Sequence, residues 1–143
     1  MCIMVYLAAD EPLQLLEWNE MQPGLHASLP APNEDRVRVQ FTKGTLVYAG
    51  SYEGCGCGFQ NGEYGPEHYE PEELRQGRRS LYEFSEYLRR ELPRVGDIEL
   101  FACWDGDQMA PPEHRRTLTP DALKSENFFF IQKEFSLIIR DAG

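Results

Sequence analysis

The feature that most constrains the fold is a strand-like run, an amphipathic helix and a second strand-like run, in that order. The first run is Thr45–Gly50 ("TLVYAG"), and the second is residues 97–103 ("DIELFAC"). Between them, residues 81–92 follow a capping-box pattern and carry leucine and phenylalanine at helical spacing. This order predicts a right-handed crossover whose two strands lie parallel in one sheet.

Three further segments are predicted to be strands. Residues 2–9 are apolar throughout, which is typical of a strand buried on both faces. Residues 36–41 ("RVRVQF") alternate as in a half-exposed strand, and a short turn would join them in a hairpin to residues 45–50. Residues 128–140 ("FFFIQKEFSLIIR") indicate a C-terminal strand with a turn or bulge at 132–134.

The remaining helical signals are short. Residues 70–73 ("EPEE") place proline and acids where a helix begins, but Gly77 weakens that helix, and residues 119–124 predict another short one. Pro93 is predicted to end the main helix. The sequence therefore predicts one α/β domain over residues 1–143, with a mixed sheet of about five or six strands, one main crossover helix (81–92) and short extra helices.

An excess of negative charge excludes several classes of partner. The chain carries 24 acidic and 14 basic residues, a formal net charge of -10, and this field repels nucleic-acid backbones and anionic lipid surfaces. No segment approaches the roughly 20 apolar residues that cross a bilayer, and the start lacks the basic residues of a secretory signal. We therefore expect an acidic cytoplasmic protein that binds neither nucleic acid nor membrane.

The candidate site lies where the two parallel strands end. Cys55 and Cys57 follow the first strand in a glycine-rich loop, and Cys103 and Asp105 end the second. The carboxyl ends of parallel strands meet at one edge, where ligands of open α/β sheets bind. If the N-terminal strand runs the same way, its last residue also reaches this edge. The predicted ligand-binding residues are Asp10, Glu53, Cys55, Cys57, Cys103 and Asp105.

The Cys-Gly-Cys motif permits three interpretations. It is a redox pair, or a glycine-rich turn whose small thiols pack in the core, or a metal site for zinc or another soft divalent metal. Nearby carboxylates raise the pKa of a thiol, which hinders nucleophilic attack and favours cations, so metal is preferred over redox chemistry. Because the cytoplasm keeps thiols reduced, disulfides are not expected. The predicted metal ligands are Cys55, Cys57, Cys103 and His68.

Two functions follow from these residues. The first is a binding site for a small molecule or metal ion at the cysteine-bearing edge, and the second is a non-enzymatic interaction domain in which the cysteines are structural. No motif identifies a reaction, because the glycines lack the dinucleotide-binding pattern and residues 105–107 lack the rest of a calcium loop. An unpaired strand edge at 36–41 or near the C-terminus would also favour a homodimer.

Overall fold

The computed structural model describes residues 3–59 and 69–141. In these residues, one mixed sheet of six strands packs against one long helix, which confirms the predicted α/β class. The strands are β1 (Ile3–Ala9), β2 (His26–Ser28), β3 (Thr45–Gly50), β4 (Ile98–Trp104), β5 (His114–Leu118) and β6 (Glu134–Ile138), and the helix is α1 (Pro71–Val95). Short 3-10 helices cover Pro32–Gln40, Gly56–Gly58 and Pro120–Lys124, the last where the sequence predicts a short helix.

The strand order is β2-β3-β1-β4-β6-β5. β1 is antiparallel to both of its neighbours and pairs Val5 with Ala49 of β3 on one side and with Ala102 of β4 on the other. β3 and β4 therefore run parallel to each other, as predicted, but β1 lies between them. Among the described strands, β5 and β6 are the hydrogen-bonded pair that runs parallel, and the other neighbouring pairs are antiparallel.

Apolar side chains cover both faces of the sheet. On one face, α1 buries its predicted stripe, which includes Leu81, Phe84 and Leu88. On the other face, the 3-10 helix Pro32–Gln40 buries Val37 against aromatic residues of the central strands. Because these strands are covered on both sides, their sequences are almost continuously apolar.

The helix α1 is longer than predicted, because the two helical signals form one helix. Gly77 does not interrupt it, since that residue is buried and tertiary packing outweighs the cost of about 1 kcal/mol that glycine carries in a helix. Pro93 lies in the last turn, where it removes a single backbone hydrogen bond. The helix ends at Gly96, whose φ of 81° favours glycine.

Residues 36–41 do not form the predicted strand. They belong mostly to the 3-10 helix Pro32–Gln40, where Val37 is fully buried but Val39 is 63% exposed, so their alternation does not mark one face of a strand. Side-chain bonds to residues outside the helix hold it in place. Arg38 donates to the carbonyl of Gly44 (2.7 Å), and Gln40 Nε2 donates to the distant carbonyl of Gln108 (2.8 Å). The predicted hairpin is therefore wrong. Residues 36–41 also provide no strand edge for the predicted homodimer.

The edge strand β5 was not predicted, because its sequence "HRRTL" is largely exposed and lacks an apolar pattern. It is held to β6 by parallel pairing and by an ion pair between Arg116 Nε and Glu134 Oε1 at 2.6 Å. Lys133, just before β6, has a φ of 60°, which places the predicted turn at this point.

Among the described residues, no helix is long and apolar enough to cross a membrane.

Candidate thiol-bearing site at the sheet edge

Asp10 and Cys103 lie at opposite ends of the neighbouring strands β1 and β4. Met4, at the start of β1, pairs with Cys103, whereas Ala8 pairs with Glu99. Asp10 follows β1 and forms an ion pair with Lys43 Nζ at 2.8 Å. The expectation that Asp10 reaches the site required β1 to run parallel to β3 and β4, and the antiparallel pairing contradicts it.

The backbone on both sides of Cys55 is fixed by hydrogen bonds. The carbonyl of Cys55 accepts bonds from the backbone N–H of Ser51 (2.8 Å) and from its hydroxyl (2.6 Å). Gly54 has a φ of 85° and donates to the Ser51 carbonyl at 2.9 Å. The next N–H, that of Gly56, donates to the Tyr48 hydroxyl at 3.0 Å. The half-buried Cys55 side chain is therefore carried by a rigid turn.

Glycines flank the cysteines because the turn packs tightly. A Cβ on Gly56 would lie 1.8 Å from the carbonyl oxygen of Ile3, and a Cβ on Gly58 would lie 2.2 Å from the Ser51 hydroxyl. Neither space admits a side chain. The Cys-Gly-Cys sequence therefore brings the turn against the start of β1.

The cysteines of this edge differ in oxidation state. Cys57 is disulfide-bonded, whereas Cys55 and Cys103 are reduced thiols. The expectation that no disulfide forms is therefore wrong for Cys57, whose sulfur is not a thiolate in this state. His68, the other predicted metal ligand, lies outside the described residues.

Cys103 is fully buried on the face of the sheet opposite α1. Burial is the main cause that raises the pKa of its thiol to about 12, and the carboxylates of Asp107 and Asp105 raise it further. Arg36 is the cation that opposes this effect. The thiol of Cys103 is therefore protonated at neutral pH.

Tyr48 connects the two strand ends electrostatically. Burial raises the pKa of its phenol to about 12, and Cys55, Glu34 and Asp105 all add to the increase. Asp105 thus acts on Tyr48 and also on Cys103, with which Tyr48 shares a core cluster. The fold therefore packs Cys103 in one core cluster with this tyrosine and lets the charges of Cys55 and Asp105 act on it.

A buried hydrogen-bond network extends from this cluster. The Tyr6 hydroxyl donates to Glu34 Oε2 at 2.6 Å, and burial followed by this bond raises the pKa of Tyr6. Gln108 Nε2 donates to the Tyr6 oxygen (3.2 Å) and to Asp105 Oδ1 (2.9 Å). None of Tyr6, Glu34, Tyr48 and Gln108 was predicted as a site residue. The available signal was a tyrosine in each of the buried strands β1 and β3, because a buried hydroxyl requires a partner.

Trp18 forms the outer wall of the turn and was also missed. Its Nε1 donates to the carbonyl of Tyr52 at 2.9 Å, and its ring lies 3.7 Å from where a Cβ on Gly54 would be. Trp18 remains 41% exposed. Glu53 is exposed beside it and accepts a hydrogen bond from the Tyr52 hydroxyl at 3.2 Å.

Neither a protein-family model, nor a curated protein, nor a solved structure matches this chain. Among residues 3–59 and 69–141, no group of three or more His, Cys, Asp and Glu side chains is arranged to hold a metal ion. The chemistry available at the edge is a half-buried thiol, an adjacent disulfide sulfur and several carboxylates. Function is therefore inferred from these groups.

Proposed function

We propose that the reduced protein binds a soft divalent metal ion, zinc or a chemically similar cation, at the Cys55 edge. The observation that carries this proposal is the concentration of negative charge there. Besides burial, carboxylates contribute to the raised pKa of the Cys103 thiol and of the Tyr48 phenol, for which Cys55 contributes more, and Asp105 acts on both groups. Such a field favours a cation, and a soft cation prefers thiolate ligands.

Cys55 and Cys57 supply the first two ligands of this site. The disulfide of Cys57 must first be reduced by an external dithiol, which provides two electrons and two protons, so that one S–S bond becomes two thiols and the dithiol becomes a disulfide. The metal ion then displaces the thiol protons of both cysteines into solvent. Asp105, which is exposed, offers an oxygen ligand, and Cys103 and His68 are the further candidates from the sequence.

A small-molecule ligand would share this edge. Trp18 and the half-buried Tyr52 form an aromatic wall beside the turn that carries Cys55. A molecule that completes the coordination of the metal would pack against this wall. Its binding would therefore require the metal and change the fluorescence of Trp18.

The experiment is an anaerobic zinc titration against a chromophoric chelator, with oxidised and dithiol-reduced protein compared. We expect one equivalent of zinc in the reduced protein and at least about tenfold weaker binding in the oxidised protein. Cys55→Ser and Asp105→Asn should each weaken binding by about tenfold or more, whereas the matched control Asp10→Asn, at the opposite edge, should not. Unchanged zinc affinity after Cys55→Ser combined with Cys57→Ser would refute the proposal.

The second candidate is a non-enzymatic interaction domain in which the cysteines are structural. It is favoured by the full burial of Cys103 among Tyr6 and Phe101 and by the oxidised state of Cys57. A reduced protein without measurable zinc affinity, in which loss of Cys57 lowers only the melting temperature, would support this candidate over the metal site.

A further inference from the structure

A second concave surface lies away from the cysteines, between α1 and residues 13–25. It is a groove of about 310 Å³, which reaches the lower end of the range of roughly 300–1,000 Å³ for small-molecule sites. Its lining combines apolar and charged side chains. The lining residues are Leu16, Leu25, Tyr82, Glu83, Glu86 and Arg90.

Hydrogen bonds between α1 and residues 13–25 hold the walls of the groove in place. The Tyr87 hydroxyl donates to the carbonyl of Gln14 at 2.7 Å, and Glu83 Oε1 accepts the N–H of Leu25 at 3.0 Å. Leu16 pairs with Ala27 of β2 through two backbone bonds of 2.9 and 3.0 Å. The groove is therefore preformed, which lowers the entropic cost of binding.

The acidic side chains of the groove are already engaged. Glu83 accepts the Leu25 N–H and lies 3.8 Å from Arg79. Glu86 pairs with Lys124 and with Arg89, and the hydrogen bond from Lys124 is the main cause that lowers its pKa. These carboxylates are not available to a cationic ligand without breaking existing ion pairs.

Arg90, unlike the two glutamates, is not engaged in a direct bond. Its guanidinium is exposed, and in the described part of the chain it makes no hydrogen bond and no close ion pair, although its charge acts on Glu86 four residues earlier on the helix. In a protein with a net charge of -10, a cation that no side chain binds directly, beside apolar side chains, is the distinctive group of this groove. Its planar fork of donors fits a carboxylate in a bidentate geometry.

We propose that this groove binds a small monocarboxylate with an aromatic or medium-chain aliphatic body. The carboxylate pairs with Arg90, and the body covers Leu16, Leu25 and the ring of Tyr82. A dianionic phosphate is disfavoured, because Glu83 and Glu86 line the same groove and Arg90 is the only cation among its described lining residues. The inference is independent of the proposed metal site.

The test is calorimetric titration of the full chain with 4-phenylbutyrate, with the neutral 4-phenylbutyramide as its isosteric control. We expect the acid to bind at least about tenfold more tightly than the amide, as a charge-assisted bidentate pair implies. Arg90→Gln should remove this preference and leave amide binding unchanged, whereas Arg90→Lys should retain part of it. Both oxidised and reduced protein should behave alike.

The control variant is Arg75→Gln, an exposed arginine on α1 about 22 Å along the helix from Arg90. It should bind both compounds as the unmodified protein does. Because Arg90 makes no direct hydrogen bond or close ion pair among the described residues, its substitution should lower the melting temperature only slightly, through loss of its weak helical interaction with Glu86. Equal binding of acid and amide, an unchanged preference in Arg90→Gln, or no binding at millimolar ligand would overturn the proposal.

Discussion

The Tyr48 hydroxyl accepts a hydrogen bond from the backbone N–H of Gly56 at 3.0 Å, and this bond is buried. It joins the third residue from the end of strand β3 to the loop that carries Cys55. The same phenol is the group on which charges from both strand ends act. The geometry of the cysteine turn and the electrostatics of the candidate site therefore depend on one side chain.

Tyr48→Phe should loosen the cysteine turn. The variant leaves the buried N–H of Gly56 without its acceptor, which should cost about 1–3 kcal/mol of unfolding free energy. Cys55 should also react faster with a disulfide reagent, because its backbone is less constrained. Urea unfolding and thiol-modification rates measure the two effects. Tyr82→Phe, at an exposed position on α1, is the control, and equal behaviour of the two variants would contradict the expectation.

Gly56→Ala should destabilise the protein by about 3 kcal/mol, because the added Cβ would overlap a backbone carbonyl. That Cβ would lie 1.8 Å from the oxygen of Ile3, whereas a Cβ on Gly44 would meet nothing within 4 Å. Gly44→Ala should therefore be neutral or slightly stabilising. Chemical denaturation of both variants tests the contrast, and a well-tolerated Gly56→Ala would show that the turn does not pack against β1 in solution.

Glu99→Ala should cost about 3 kcal/mol of unfolding free energy. The buried carboxylate accepts three bonds, from the N–H of Thr42 (2.9 Å), its hydroxyl (2.9 Å) and the N–H of Lys43 (3.0 Å). Bonds to a charged group are each worth about 1.5–3 kcal/mol, and their loss is partly offset by solvation. The exposed Glu113, whose pairing with Lys133 is long at 3.5 Å, provides the control, since Glu113→Ala should change stability by less than about 0.5 kcal/mol.

Stability should fall at alkaline pH in a manner that depends on Cys103. The folded-state pKa of its thiol is raised from 9.0 to about 12, so the unfolded chain loses this proton first. Below pH 9 both states keep the proton and the thiol adds no pH dependence. Between pH 9 and 12 the unfolded state is favoured progressively.

The measurement for this pH effect is urea unfolding at pH 8 and at pH 10.5, compared between the unmodified protein and Cys103→Ala. Ionising tyrosines contribute to both proteins, so the difference between them isolates the thiol. The unmodified protein should lose more stability over this interval. A parallel loss in both proteins would show that the thiol ionises normally in the folded state.

Several features of the fold follow from local patterns in the sequence. The continuous apolar runs of β1, β3 and β4 indicated burial on both faces, and the periodic stripe of α1 indicated its packing face. The strand-helix-strand order also predicted the parallel direction of β3 and β4. These features are readable because side-chain periodicity reports the burial of one element at a time.

Tertiary contacts decided the remainder. The insertion of β1 between β3 and β4 moved Asp10 to the far edge, and bonds from Gln40 to residues distant in the chain overrode the strand-like alternation of residues 36–41. The partners of Tyr6 and Tyr48 are Glu34 and Gly56, which lie in short 3-10 helices that the sequence did not predict. Such contacts form between segments far apart in the chain, and their energies depend on packing and burial that no local pattern encodes.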